Sequence, residues 1–253
     1  MSYKEYIRIK ENADCAVLMV HGIANSPRHF DWLIPLIPND WSICNILLDG
    51  HGGSVKDFSK TSMTIWKQQV DSCMESLANQ HKTIIVVGYS MGTLLTMRLV
   101  EKYPQIKGMI LLNTPLEVAV KPAVVMRYLK MAFGKLDMNN PVELATYNGI
   151  SVKMEPWLWR YLWCIPQVVE LLALCKECRN IVNSFKIPCY AFWGKQDEAV
   201  SLKSTQYFID NYNVSCKVFD NSGHFYYESE FKDEVSNCIK LLIEQVSEKV
   251  YSR

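Results

Sequence analysis

A short segment in the middle of the chain has the residue types and spacing of an exposed nucleophilic serine. Residues 88–92 read Gly-Tyr-Ser-Met-Gly and directly follow the β-branched run 83–87, which has the length of a buried strand. A segment of helical period comes next, so the pattern predicts a strand, a sharp turn at Ser90 and a helix. A turn this tight projects the hydroxyl from the sheet edge, and Gly88 and Gly92 are expected where a Cβ atom would collide. The chemistry predicted is nucleophilic attack by the Ser90 hydroxyl.

A serine hydroxyl attacks only when a base accepts its proton, and histidine suits that task near neutral pH. The sequence has five histidines. Four of them lie in earlier loops or helical segments: His21, His29, His51 and His81. Only His224, in Ser-Gly-His directly after the last predicted strand, lies where a loop could cover the serine. We therefore predict His224 as the general base.

The base must itself be oriented by a carboxylate, which is expected between the serine and the histidine, after the penultimate strand. Asp197 holds this place in the sequence Gly-Lys-Gln-Asp-Glu, and the adjacent Glu198 is the alternative. The chain order serine, aspartate, histidine is the one expected for a nucleophile on such a turn. We predict Asp197 as the orienting acid.

Acyl transfer also requires two backbone N–H groups directed at the oxygen on which negative charge develops. One is predicted to belong to Met91, directly after Ser90. The other is predicted to belong to Ile23, in the loop after the first central strand. Gly22 lets this loop turn close to the substrate, so we include it among the substrate-binding residues. The side chain of His21 is predicted to pin the loop rather than to act in catalysis.

All these candidates follow predicted strands, and the strands alternate with helices. The predicted strands are residues 16–20, 42–48, 83–87, 108–112, 189–193 and 215–219. The predicted helices outside the central region are residues 27–36, 64–79, 93–103, 202–212 and 230–247. Such alternation predicts an α/β fold with a mostly parallel, doubly wound sheet, whose carboxyl edge collects the loops that carry chemistry.

The alternation stops at residues 116–185, where helical segments follow one another without a convincing strand. We predict a core of residues 1–115 and 186–253, with 116–185 as a helical insertion before the penultimate strand. A Trp-rich stretch of the insertion contains Trp157 and Trp159. Core packing is the default for an aromatic stripe at helical spacing. The alternatives are a wall of the acyl pocket, with both tryptophans binding substrate, and a patch that touches lipid aggregates.

The bulk composition argues against several classes of partner. Of 253 residues, 21% are charged, and the formal net charge of +1 gives no electrostatic basis for binding nucleic acid. The N-terminus lacks the apolar core of a signal peptide, and we expect no segment apolar for long enough to span a bilayer. Nine scattered cysteines, an odd number, favour a reducing cytoplasm. We expect no metal or organic cofactor, and the oligomeric state stays open.

The cysteines are predicted to be structural. Cys175 and Cys178 form a C-x-x-C pair in a helical segment, with no second pair and no nearby histidine, so two reduced cysteines are favoured over a zinc or redox centre. Four others fall in or beside strands and are expected to be small core residues: Cys15, Cys44, Cys189 and Cys216.

Five segments together resemble those of the α/β-hydrolase superfamily, and more narrowly of small bacterial carboxylesterases and monoacylglycerol lipases. They lie in the family's order and approximate spacing, over nearly the whole chain: residues 20–23, 50–52, 88–92, 194–197 and 222–224. The resemblance implies that the insertion is a lid over the acyl pocket. Isoleucine at position 23 departs from the family's Gly-Phe-like entry to its loop, which changes the pocket's shape and leaves the backbone donor. The resemblance implies a serine hydrolase with the triad Ser90, Asp197 and His224 and the oxyanion donors Ile23 and Met91.

The predicted function is cleavage of carboxylic esters, either short- to medium-chain acyl esters or monoacylglycerols, through an acyl-enzyme on Ser90. The alternative is the same triad acting on a thioester, an amide or a carbon–carbon bond, because one site can serve many leaving groups. A non-catalytic ligand-binding module on this scaffold would usually lack a triad member, and here all three candidates are present. The expected partner is a small-molecule ester, with transient lipid contact through the lid as a further expectation.

Overall fold

A seven-stranded sheet runs through the computed structural model, which describes residues 3–251. Its strands are β1 (Tyr6–Arg8), β2 (Cys15–Val20), β3 (Ser42–Ile46), β4 (Thr83–Tyr89), β5 (Ile106–Leu112), β6 (Cys189–Gly194) and β7 (Val214–Phe219). They lie in the order β1-β3-β2-β4-β5-β6-β7, and all neighbours are parallel except β1 and β3. The predicted mostly parallel α/β sheet is confirmed. The ends of the predicted core at residues 1–2 and 252–253 lie outside the described residues.

The central strand β4 shows why the sheet is covered on both faces. All seven of its residues are buried. Successive side chains of a strand point to opposite faces, so Ile84 and Val86 pack in one hydrophobic cluster while Ile85 and Val87 pack in the other. Burial of each such side chain contributes about 1.5–3 kcal/mol. A strand without a polar face therefore requires helices on both sides of the sheet.

Seven α-helices accompany the strands in the described part of the chain: α1 (Val55–Phe58), α2 (Met63–Gln80), α3 (Met91–Met97), α4 (Pro122–Ala132), α5 (Pro141–Gly149), α6 (Ile165–Cys178) and α7 (Ser229–Tyr251). Two predicted helices form instead as short 3₁₀ segments, Pro27–Phe30 with Ile34–Leu36, and Leu202–Tyr207. In the first, Pro35 has no N–H to continue an α-helix. The strand β1 and the helices α1 and α5 were not predicted.

The insertion (residues 116–185) is entirely helical apart from its loops, and it lies between β5 and β6. Besides α4, α5 and α6 it contains the 3₁₀ segments Leu158–Cys164 and Ile181–Ser184. Leu174, Cys175 and Cys178 of α6 are buried in the same cluster as the sheet. Both cysteines have free thiols, and burial raises the pKa of each to about 12. The insertion thus shares the core of the domain, and its predicted boundaries stay a prediction.

Two predictions about the insertion were wrong. The helical segment Leu158–Cys178 has 21 residues and contains an 18-residue stretch with a mean hydropathy of 1.2, so by length and composition alone it could cross a bilayer. Arg160, Glu170 and Lys176 interrupt its sequence, which obscures the apolar character of the whole run. Core packing of the aromatic stripe is also wrong, because Trp157, Trp159 and Trp163 are 60%, 59% and 68% exposed.

One pair of cysteines is joined in the structure. Cys44 on β3 is bonded to Cys73 on α2, and the other seven cysteines are free. Cys44 is buried, as predicted, and so are Cys15 and Cys189, whereas Cys216 is only partly buried. The pairing could not be predicted, because the two residues are 29 positions apart and meet only when α2 packs on the sheet.

Candidate active site

Ser90 occupies the turn between β4 and α3 in a strained backbone conformation. Its φ of 50° and ψ of −124° lie in a region that costs a residue other than glycine about 1–3 kcal/mol. The turn is held by the Ser90 N–H, which donates to the Leu112 carbonyl at 2.8 Å, and by Thr93, whose N–H and hydroxyl donate to the Ser90 carbonyl at 2.9 and 2.6 Å. Ser90 is the N-cap of α3, yet its side chain makes no capping hydrogen bond. Its hydroxyl is therefore available for chemistry.

The glycines around Ser90 lie where the predicted collisions occur. A Cβ atom on Gly88 would come within 2.6 Å of the Thr93 Cα, so strand and helix do approach too closely for a side chain. A Cβ atom on Gly92 would lie 1.9 Å from the Val20 carbonyl oxygen. The constraint at Gly92 thus comes from the neighbouring strand β2 rather than from the strand that carries the serine.

Asp197 and His224 meet at the carboxyl edge of the sheet. The His224 Nδ1–H donates to Asp197 Oδ2 at 2.8 Å, and both residues are buried. The other carboxylate oxygen, Oδ1, accepts the N–H groups of Ala199 at 2.7 Å and Val200 at 2.8 Å, so the carboxylate cannot rotate freely. Glu198 instead pairs with Arg127 of α4 at 2.9 Å. The structure therefore brings Asp197, and not Glu198, to the histidine.

Tyr89 links His224 to the serine turn. Its hydroxyl donates to the His224 carbonyl at 2.9 Å, and the two ring centroids are 5.2 Å apart. Within residues 3–251, no hydrogen bond joins the Ser90 hydroxyl to the His224 imidazole. Such bonds often shorten only when substrate is bound. Nothing in the sequence predicts this role for Tyr89, because the residue before the serine varies freely in the Gly-x-Ser-x-Gly pattern.

The two predicted oxyanion donors belong to the two segments that meet at the serine. Ile23 follows Gly22 in the loop after β2, and Met91 is the first residue of α3. In the part of the chain that the structure describes, neither backbone N–H donates a hydrogen bond. A Cβ atom on Gly22 would lie 2.8 Å from the Ser90 Cβ, so the loop passes directly beside the serine. Both N–H groups are thus available to donate hydrogen bonds to a substrate oxygen near Ser90.

Two buried histidines hold this loop in place. The Leu48 N–H donates to His21 Nε2 at 3.1 Å, which leaves the proton on Nδ1 for the Gly22 carbonyl at 2.8 Å. The Ala24 N–H donates to His51 Nε2 at 3.0 Å. His21 holds the loop, as predicted, and His51 holds it as well. Both imidazoles must be neutral, because each ring nitrogen Nε2 serves as an acceptor.

We expect this arrangement to make the protein sensitive to acid. Burial lowers the pKa of His51 to about 4, that of His29 to about 3 and that of His21 well below its ordinary 6.5. Below pH 6.5 these histidines bind protons in the unfolded chain but stay neutral in the folded chain. Their contribution to the free energy of unfolding is therefore present above that pH and is lost as the pH falls toward 4. Together the three histidines should lower the free energy of unfolding by on the order of 4 kcal/mol for each pH unit of acidification in this range.

Urea unfolding at pH 7, 6 and 5 measures this loss. The variant His51→Gln keeps an acceptor in place of Nε2 and does not titrate, so its free energy of unfolding should fall about one-third less steeply with decreasing pH than that of the wild type. A wild-type free energy of unfolding that is constant from pH 7 to 5 would contradict the expectation.

A cavity of about 670 Å³ opens beside His224, between α4 and the loops after β6 and β7. Its lining includes the charged side chains of Arg127 and Glu198 and the aromatic ring of Tyr226. Trp157 and Trp159 do not line it and are 60% and 59% exposed. Their predicted contact with substrate stays a prediction. Within residues 3–251, no cluster of three metal-ligating side chains is present.

The sequence is similar to those of known hydrolases. The family Hydrolase_4, described as "Serine aminopeptidase, S33", matches residues 11–228. A thermostable monoacylglycerol lipase of Bacillus sp. (strain H-257) is 31% identical over 109 residues, which are 43% of this chain and 44% of that protein. The chain thus aligns with less than half the length of this relative.

The fold is similar to those of solved lipases and esterases. A structure of the metagenome-derived lipolytic enzymes LipS and LipT superposes with a TM-score of 0.71 and 14% identity, covering 96% of this chain and 98% of that one. Monoglyceride lipase from Saccharomyces cerevisiae gives a TM-score of 0.70 and 14% identity, covering 95% and 91%. Similar folds are also found in an N-acyl homoserine lactonase and a thioesterase domain. At these identities the likeness shows the fold, and it leaves the cleaved bond open.

Proposed function

From the premise that this chain belongs to the α/β-hydrolase family Hydrolase_4, described as "Serine aminopeptidase, S33", we propose that it is a serine hydrolase that cleaves carboxylic esters. The substrates proposed are short- to medium-chain acyl esters or monoacylglycerols. The observation that carries the proposal is the buried hydrogen bond between His224 and Asp197, together with a strained serine whose side chain makes no capping hydrogen bond and whose neighbour Tyr89 bonds the His224 carbonyl. The similarity to the Bacillus monoacylglycerol lipase supports the choice of esters.

The first step is acylation. His224 Nε2 accepts the hydroxyl proton of Ser90 as the serine oxygen attacks the ester carbonyl carbon. The negative charge that develops on the carbonyl oxygen is stabilised by the N–H groups of Ile23 and Met91. His224 then gives its proton to the departing alcohol, and the acyl group stays on Ser90.

The second step is hydrolysis of the acyl-enzyme. His224 accepts a proton from water, the resulting hydroxide attacks the acyl carbon, and the carboxylic acid leaves as Ser90 regains its proton. Asp197 keeps the Nδ1–H of His224 directed away from the serine and stabilises the imidazolium in both steps. These steps use only groups of the chain, the ester and water.

A panel of p-nitrophenyl esters of graded chain length, with a monoacylglycerol, a thioester and an acyl amide, tests the proposal. Ester turnover that disappears in Ser90→Ala is the expected result, and the rates along the series give the preferred acyl length. Turnover of the thioester or the amide without turnover of any ester would show that the substrate belongs to that class instead. No turnover of any member would favour a non-catalytic binding protein.

We also propose that the insertion contacts lipid surfaces. Nine large apolar side chains between residues 157 and 172 are between 42% and 68% exposed: Trp157, Leu158, Trp159, Leu162, Trp163, Ile165, Val168, Val169 and Leu172. Tryptophan favours the boundary between lipid and water, because its ring is apolar and its N–H is polar. Leu174, Cys175 and Cys178 anchor the same segment in the protein core, so it would lie on a lipid surface rather than span it.

The double variant Trp159→Ser, Trp163→Ser tests the lipid contact in a sedimentation assay with phosphatidylcholine vesicles. Removal of one large apolar side chain from water is worth about 1.5–3 kcal/mol, so loss of two should weaken binding at least about 100-fold. The matched control is Ile209→Ser, Tyr212→Ser, which alters side chains that are 70% and 95% exposed outside the insertion. Equal binding by the two double variants would contradict the proposal.

A further inference from the structure

Asn113 is the first residue after β5, and it lies between the loops that carry Asp197 and His224. It is completely buried, and its φ of 51° falls in the left-handed region that favours glycine and, to a lesser degree, asparagine. Its own N–H donates to the Phe192 carbonyl of β6 at 2.7 Å. The backbone of Asn113 is thus tied to the neighbouring strand, and its side chain is left to make other contacts.

The Asn113 amide joins the two loops directly. Its Nδ2 donates to the carbonyls of Gly223 at 3.0 Å and His224 at 3.2 Å, on the loop of the base. Its Oδ1 accepts the N–H of Gly194 at 3.3 Å, at the start of the loop of the acid. A single planar group therefore contacts the backbone of both loops, one on its donor side and one on its acceptor side.

The two loops approach each other so closely at Gly194 that no side chain fits between them there. A Cβ atom on Gly194 would lie 2.1 Å from the Ser222 carbonyl oxygen. The Gln196 N–H donates to that same oxygen at 2.9 Å, and the Asp197 N–H turns back to the Gly194 carbonyl at 3.1 Å. Displacement of Gly194 relative to the histidine loop would therefore be passed on to Asp197 through three residues of tightly bonded backbone.

We propose that Asn113 is a positioning residue that sets the separation between Asp197 and His224. The inference rests on the proposed roles of that pair as acid and base. Asn113 touches neither ring nor carboxylate, and it acts through the carbonyls of the histidine loop and the amide of Gly194. Misplacement of a catalytic group by about 1 Å can cost about 100-fold in rate, which is the size of effect expected from its loss.

Two variants separate the side chain from the backbone. Asn113→Gly removes the amide and suits the left-handed φ, so it adds no backbone strain. Asn113→Asp keeps the shape and the acceptor for Gly194, but it replaces the donor by an oxygen that faces two carbonyls and, at 3.4 Å, the Tyr227 hydroxyl. We expect kcat for a p-nitrophenyl ester to fall about 100-fold in both variants, with KM changed less than about threefold because no group that contacts substrate has been altered.

The matched control is Asn211→Ala. Asn211 is also buried, and its Nδ2 also bridges two carbonyls, those of Val182 at 2.8 Å and Phe185 at 3.2 Å. It precedes β7, at the opposite edge of the sheet from the site. A general effect of losing a buried amide would lower kcat equally in Asn113→Gly and Asn211→Ala, and that result would overturn the proposal.

A second readout does not depend on turnover. The proton on His224 Nδ1, bonded to Asp197, should be protected from exchange with water and visible by proton NMR, with its assignment given by its absence in His224→Gln. We expect the signal to persist in Asn211→Ala and to disappear in Asn113→Gly and Asn113→Asp. A signal retained in both Asn113 variants would overturn the proposal. If the wild type hydrolyses no ester, the NMR comparison still tests Asn113, and the failure then belongs to the proposed function.

Discussion

Replacement of Ser90 by alanine is expected to lower kcat for ester hydrolysis by about 10⁶-fold, since nucleophile and base act as a unit. The Ser90 side chain makes no capping hydrogen bond, so its loss removes the reacting oxygen and little that stabilises the fold. The thermal midpoint of unfolding should therefore stay within a few degrees of the wild-type value. Loss of activity with an intact fold is the result expected when the replaced residue is the nucleophile.

Labelling with a fluorophosphonate provides the measurement. The wild type should be labelled and Ser90→Ala should not. Ser222→Ala is the matched control, because Ser222 is also buried and lies two residues from His224, where its hydroxyl accepts the Glu228 N–H at 3.1 Å. Ser222→Ala should still be labelled, and labelling of Ser90→Ala would remove Ser90 from the proposed site.

The second large effect is expected from Asp197→Asn, at about 10⁴-fold in kcat. Two backbone N–H groups, those of Ala199 and Val200, donate to Oδ1, and they will hold the amide oxygen of the asparagine in that place. Its NH₂ group must then face His224 Nδ1. That nitrogen becomes an acceptor, so the ring proton moves to Nε2, where the imidazole can no longer accept the proton of Ser90.

Glu198→Gln is the matched control for this variant. Glu198 is the adjacent carboxylate and pairs with Arg127 rather than with the histidine, so kcat of the Glu198→Gln variant should fall far less than kcat of Asp197→Asn. Steady-state kinetics of both variants on one p-nitrophenyl ester decide between the two acids. Near wild-type activity of Asp197→Asn, with a large loss in Glu198→Gln, would transfer the orienting role to Glu198.

The sequence allows the strand, the turn and the helix around Ser90 to be predicted, because β-branched residues, two glycines and a helical period are local signals. It also places His224 and the acidic pair after their strands. It does not allow a choice between Asp197 and Glu198 on physical grounds, since both neighbours look alike until the backbone amides of Ala199 and Val200 are seen to fix one of them.

Contacts between distant parts of the chain could not be predicted. Asn113 and Gly223 are 110 residues apart, and their hydrogen bond exists only because β5, β6 and β7 are neighbours in the sheet. For the tryptophans of the insertion, helical spacing indicates a common stripe but not whether that stripe faces protein or solvent. Trp163 is 68% exposed, so the stripe faces solvent.

The buried face of α6 limits how this protein could be re-engineered. Leu174 and Cys178 of α6 pack in the same cluster as the sheet, and the Cys178 thiol lies 3.6 Å from the Leu94 carbonyl of α3. A graft that exchanged all of residues 116–185 for the insertion of a relative would therefore open the interior of the host. Exchange of residues 122–149 alone, which carry α4 and α5, removes no member of that cluster, and it is the natural unit for building chimeras with altered substrate range.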